Sequence, residues 1–247
     1  VCAVLDDDSL RCWGDDRFDQ LGNGPAREHW CDGLDESVES AKPIAIPTPI
    51  DEVHLHQYGT CALAGADDAR GIYCWGYNRF GQAGLGHRTP LPRPHTHPAQ
   101  LGDAEVASMG MGIHTACARL DGGDVRCWGA NHSGQLGADF PRDAFVGDGR
   151  GDGARGQLPD SDALNVRGLE DFDVAALRVN GGWNCVLSTA GAVRCWGGNH
   201  NGTVGLPHHQ HPAWDPHGDG SDCFVESPER DVDLGDVRVV DLQLGRR

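Results

Sequence analysis

Apolar and polar residues alternate in short runs along this chain, and the runs recur in phase. Val106, Met109 and Met111 are spaced like Val174, Leu177 and Val179, and like Ile50, Val53 and Leu55. Each run begins eleven residues before a cysteine (Cys61, Cys117 or Cys185) and reads as a β-strand. Behind each cysteine the pattern turns back on itself. In the third copy, Ala118-Arg119-Leu120 is followed by Asp121-Gly122-Gly123 and then Asp124-Val125-Arg126, the signature of a hairpin. Three strands per unit follow, with a fourth fitting after the unit's last glycine. No stretch carries a helical period.

The units share an eleven-residue motif that runs from Cys127-Trp128-Gly129 to Gly137 in its fullest form and starts again at Cys12, Cys74 and Cys195. It closes on Gly22, Gly84, Gly137 and Gly205. Successive motifs lie 62, 53 and 68 residues apart. The variation falls in linkers rich in Pro, His, Gly and Asp, at 23–49, 87–103, 138–168 and 206–236. Four-stranded units that need neighbours to cover their faces read as blades of a β-propeller. The expected fold is all-β, one domain over 1–247, with repeat motifs at 2–22, 61–84, 117–137 and 185–205.

Each Cys-Trp-Gly is preceded by another cysteine, ten residues earlier in three units and thirteen in the second. Pairing the hairpin about Gly122 sets Cys117 opposite Cys127, the short separation a disulfide needs. The predicted bridges are Cys2–Cys12, Cys61–Cys74, Cys117–Cys127 and Cys185–Cys195. In the second hairpin, a bulge is expected to absorb the odd count. Zinc prefers a shorter cysteine spacing within one knuckle. Cys31 and Cys223 are left over.

Composition narrows the function. The net charge is −17, with Lys42 the one lysine among 20 basic residues, so there is no basic stripe for nucleic acid. No run of 18 apolar residues exists to insert in a membrane as a helix. Ten cysteines suit an oxidising compartment, extracellular or periplasmic. Starting at Val1, without Met or an apolar leader, the chain reads as processed or partial.

The segment His114-Thr115-Ala116-Cys117-Ala118, the Gly turn, Cys-Trp-Gly and Asn131 through Gly137 resemble the regulator of chromosome condensation repeat. The resemblance covers all four units and about half the residues. It implies a β-propeller, usually of seven blades, and the paired cysteines are similar to the secreted bacterial branch of that family. Asp16 and Asp19 replace Asn and Gly in the first copy, and Thr203 replaces Gln in the fourth. Asp still tolerates a left-handed backbone at position 19. WD-repeat propellers would need a Trp-Asp ending and a period near ~40–45, and both are missing. The four repeats make either part of a seven-bladed ring or a closed four-bladed one. Residues 239–245 have the phase of a first strand, so in the closed ring they would pair with 1–5 and Cys31 would meet Cys223.

Trp13, Trp75, Trp128 and Trp196 recur at one phase and read as core anchors, while Asn78, Asn131 and Asn199 read as turn residues. Asn131 and Asn201 also head glycosylation triplets, subordinate to the repeat. The cluster His208-His209-Gln210-His211, with His217 and Asp219, reads as a solvated loop rather than a metal site. Gly147–Gly153 and Asp215–Asp222 lack the ordered carboxylate spacing of a calcium loop. Arg150-Gly151-Asp152 is short enough to recur by chance. No nucleophile–base motif or phosphate loop is written, so no enzyme, cofactor or metal is expected. The expected function is a monomeric protein-interaction module with a basic protein partner, its variable linkers and Trp30, Trp183 and Trp214 facing that partner. The alternatives are a carbohydrate or calcium-dependent ligand binder and, more weakly, a guanine-nucleotide exchange regulator.

Overall fold

The structure, a computed structural model, describes residues 1–24, 41–99, 101–102, 105–147, 161–199, 202–205 and 224–245. Four antiparallel sheets follow one another along the chain. The first holds β1 (Cys2–Val4), β2 (Leu10–Cys12) and β3 (Pro43–Ile44). The second holds β4 (Ile50–Leu55), β5 (Gly59–Ala64) and β6 (Gly71–Gly76). The third runs β7 (Val106–Met111), β8 (Thr115–Leu120), β9 (Val125–Ala130) and β10 (Phe145–Val146). The fourth repeats it with β11 (Val174–Val179), β12 (Trp183–Ser188), β13 (Val193–Gly198) and β14 (Phe224–Val225). These are propeller blades. In the second blade a single bridge, Gly76 to Leu91, stands where the third and fourth blades have a fourth strand.

The hairpins take the predicted register. Cys2 faces Cys12, Cys61 faces Cys74, Cys117 faces Cys127 and Cys185 faces Cys195. All four pairs are disulfide-bonded, each with Cα atoms 4.1 Å apart. The bulge expected in the second hairpin is absent, because its register runs unbroken from Gly59–Gly76 to Ala64–Gly71. An even-numbered loop with a 3-10 turn at Asp67–Ala69 takes up the extra residues instead. Bulges do recur, but between first and second strands, at Asp51, Ala107 and Ala175.

The second, third and fourth motif tryptophans each reach into the blade before them. The indole of Trp75 donates to the Gln20 carbonyl at 3.0 Å, Trp128 to Gln82 at 2.9 Å and Trp196 to Gln135 at 3.0 Å. Those carbonyls sit in the preceding motif turn, beside Gly22, Gly84 and Gly137. A Cβ on Gly137 would stand 2.8 Å from the Trp196 indole nitrogen, and its φ of +67° is left-handed, so glycine is required twice over. Thr60 and Asn184 add bonds to the same acceptors, at 2.8 Å to Gln20 and 2.7 Å to Gln135. Trp75, Trp128 and Trp196 are sealed in the core, while Trp13 is only half-buried.

The pairing of residues 239–245 with 1–5 that a closed four-bladed ring would require is not formed among the described residues. The run lies on the fourth blade instead, with Val239, Leu242 and Leu244 packed against Cys185, Leu187, Val193, Cys195 and Val204. Arg178 takes the Leu242 carbonyl at 2.8 Å and Asn180 that of Gly245 at 2.7 Å. β1 is an edge strand of the first sheet. Cys31 and Cys223 lie outside the described residues.

Candidate docking face

The motif turns are built as their residue types require. Asn78 Oδ1 accepts from Ala83 N at 2.9 Å, and Asn131 Oδ1 from Leu136 N at 3.1 Å. Their amide groups donate onward to linker carbonyls, Asn78 to His87 at 2.8 Å and Asn131 to Phe140 at 2.7 Å. Asn199 caps Val204 N at 3.2 Å in the fourth copy. Asp16 keeps only the first half of this role, accepting from Leu21 N at 2.8 Å, since a carboxylate has no N–H to give. Asp19 does adopt the left-handed backbone, with a φ of +61°. In the other copies the Gln side chain accepts from the backbone N–H two residues earlier, whereas Thr203 donates its hydroxyl to the Gly198 carbonyl at 2.6 Å. Asn131 is buried and committed, which fits the turn reading over glycosylation.

These turns lift a set of rings to the surface at the Cys-Trp-Gly end of the strands. Phe18 and Phe80 sit five residues after their motif tryptophans, and Tyr77 sits two after Trp75. Tyr58 and His114 sit three residues before Cys61 and Cys117. Phe18 meets Tyr58 edge-on at 4.6 Å and Tyr77 at 5.9 Å. Tyr58 and Tyr77 lie 5.7 Å apart, and Tyr77 reaches Phe80 at 5.9 Å. Phe80 stacks on His114 at 4.1 Å and touches Phe145 at 5.3 Å. His132, exposed, meets Phe145 at 5.1 Å. The outcome is one aromatic belt across three blades, its Phe and Tyr rings half-buried.

Polar groups rim it. Arg17 holds Asp15 through both oxygens, with Nη2 to Oδ2 at 2.7 Å, and this hydrogen bonding keeps the Asp15 carboxyl below its usual range. The Arg88 guanidinium lies 4.5 Å over Phe145. Burial, with a smaller push from His132, drives His114 down to about 4, so its ring is neutral at physiological pH and belongs to the apolar surface. Rings set edge-on or tilted to one another give a continuous apolar patch rather than a flat platform, the form that protein interfaces favour.

The sequence reading placed function in the linkers, and the belt draws only Phe145 and Arg88 from them. The other rings occupy positions inside the repeat where the four copies differ: Tyr77 stands where the others have Asp15, Ala130 and Gly198. An aromatic residue at such a position is the signal that could have found the belt. Trp183 is half-buried in β12 and takes no part in the belt's ring contacts. Trp30, Trp214, Arg150, Asn201, the His208–His211 cluster and most of both Asp/Gly runs lie outside the described residues. Among the described residues no group of His, Cys, Asp and Glu is arranged to hold a metal, and no helix is long and apolar enough to cross a membrane.

A profile of the regulator of chromosome condensation (RCC1) repeat matches residues 106–135, the third unit. The ultraviolet-B receptor UVR8 of Arabidopsis thaliana is 23% identical over 255 residues, covering 99% of this chain and 47% of the receptor. The mouse secretion-regulating guanine nucleotide exchange factor is 30% identical over 153 residues, covering 60% of this chain and 29% of that protein. This chain thus spans less than half of either relative. Among solved structures, yeast RCC1 (Prp20), crystallised with Kap60, superposes with a TM-score of 0.66 at 15% identity, over 94% of this chain and 46% of that one. Human WBSCR16 gives 0.60 at 18% identity, over 79% of this chain and 44% of its own. The third unit thus matches the regulator of chromosome condensation repeat, the other three units repeat its motif and its blade order, and the whole is similar in fold to the β-propellers of that family.

Proposed function

We propose that this chain is a protein-docking propeller, without chemistry of its own, and that the aromatic belt is its docking face. The observation that carries the reading is the belt's continuity: half-exposed rings from three blades touch one another across the surface. Tyr and Phe held rigidly by a scaffold provide contact area with little entropy left to lose, which is how interface hot spots work. Relatives fit a binding role. One solved structure of Prp20p is described with its binding properties to Gsp1p and histones. The four disulfides support an oxidising, extracellular or periplasmic setting, where such bonds persist.

Affinity capture from the native source should recover a partner with the wild-type chain, and Tyr58→Ser/Tyr77→Ser should weaken its binding about tenfold or more. Capture unaffected by the double substitution would refute the belt as the docking face. A second reading is favoured by the similarity to the mouse exchange factor: a regulator of nucleotide release from a small GTPase. Acceleration of labelled GDP release from a panel of such GTPases would establish it.

A further inference from the structure

We infer that the belt receives arginine side chains of a partner polypeptide, their guanidinium groups stacked on Tyr58, Tyr77 and Phe80. This rests on the belt being the docking face. The chain already makes the same contact with itself at this end of its strands. Arg88 covers Phe145 at 4.5 Å, and Arg142 covers Phe224 at 4.4 Å. Phe145 and Phe224 hold the same place in their blades, opposite Ala130 and Gly198, two residues after the motif tryptophan. A guanidinium over a ring is therefore a contact this surface repeats from blade to blade.

Phe18, Tyr58, Tyr77 and Phe80 offer rings of the same kind, and among the described residues none has a guanidinium over its face. Phe18 meets Tyr58 and Tyr77 edge-on, the Tyr58–Tyr77 and Tyr77–Phe80 pairs are tilted, and all four rings remain half-exposed. Charge points to the same occupant. The chain carries −17, with Asp16 and Asp19 in the same turn as Phe18 beside the Asp15–Arg17 ion pair. Long-range attraction draws any cationic segment and speeds encounter without telling arginine from lysine. Ring faces do tell them apart. A guanidinium is planar and weakly hydrated, so it stacks with little desolvation, while an ammonium keeps its water.

The deciding measurement is titration of the whole chain with a labelled Arg-Ser repeat peptide and its Lys-Ser counterpart at about 0.15 M salt. The arginine peptide should bind roughly five- to tenfold tighter, the yield of one or two stacked guanidinium groups. Tyr58→Leu/Tyr77→Leu keeps apolar bulk and should bring the arginine peptide down to the lysine level. Tyr58→Phe/Tyr77→Phe keeps the ring faces and should retain the preference, separating stacking from any loss of fold. Equal affinities on the wild-type chain, or a preference that survives Tyr→Leu, overturns the inference. If the peptides bind equally while the Tyr→Ser variant still loses its captured partner, the docking face stands and arginine is the wrong occupant. If capture is also retained, the docking face falls with it.

Discussion

Trp13 and Trp128 occupy the same place in the same motif, yet Trp128 is sealed and Trp13 is half-buried. Their hairpins match in register and carry the same disulfide. What differs is the blade in front. Trp128 enters the turn at Gln82–Gly84 and gives its N–H to the Gln82 carbonyl, whereas no carbonyl among the described residues receives the Trp13 indole. The hairpin is thus a property of one repeat, while the burial of its anchor is a property of two. Stability in such an array is a sum of unit terms and nearest-neighbour terms, and the tryptophan belongs to the second kind.

Substitution of the two tryptophans would break this comparison most sharply. Trp128→Ala removes a fully buried indole and strands the Gln82 carbonyl, and should cost about 3–5 kcal/mol in urea unfolding. Trp13→Ala should cost under about 2 kcal/mol, because its ring already faces solvent in part. Equal losses at the two sites would mean that the anchor acts within its own hairpin.

The disulfides should show the opposite pattern. Each closes a loop inside one hairpin, so its effect on the unfolded chain depends on loop length and not on the neighbouring blade. Chain entropy gives about 2.5–3 kcal/mol for loops of this size. Replacing Cys2 and Cys12 by alanine should therefore lower stability about as much as replacing Cys117 and Cys127, measured by the same unfolding midpoints. A much larger loss in the third blade would show that these bridges also act between blades.

The same division between local and neighbouring terms explains what could be read from the sequence. Strand phase, hairpin register and all four bridges are local, written in the alternation of apolar residues and the spacing of cysteines. The mistaken bulge at Gly65–Gly71 came from counting residues where a short turn at Asp67–Ala69 restores the register. The course of residues 239–245 depended on competition between two blades, which their phase alone does not rank. The belt was harder still. Tyr58, Tyr77 and Phe80 come from one repeat, Phe18 from the one before and His114 and Phe145 from the one after, so no single repeat contains the surface.

The smallest expected effect concerns His114, another side chain that a neighbouring blade covers. It opens the third blade's hairpin, but its ring lies on Phe80, 4.1 Å away, and near Tyr77, both from the second blade. Burial there, and then the charge of His132, holds its folded value down at about 4 against an ordinary 6.5. Above pH 6.5 the ring is neutral in both folded and unfolded chains and contributes nothing to pH dependence. As pH falls below 6.5 the unfolded chain takes up the proton first, so stability declines through the window down to about 4. Discounted for a ring that is only half covered, the loss between pH 7 and pH 5 should be about 1 kcal/mol. Carboxylates titrate in part of that window too, so the quantity to compare is the slope of the wild-type chain against that of His114→Gln. The wild type should lose about 1 kcal/mol more over this interval. Parallel slopes would mean that the second blade does not hold the His114 ring out of water, and that its cover stops at the tryptophan.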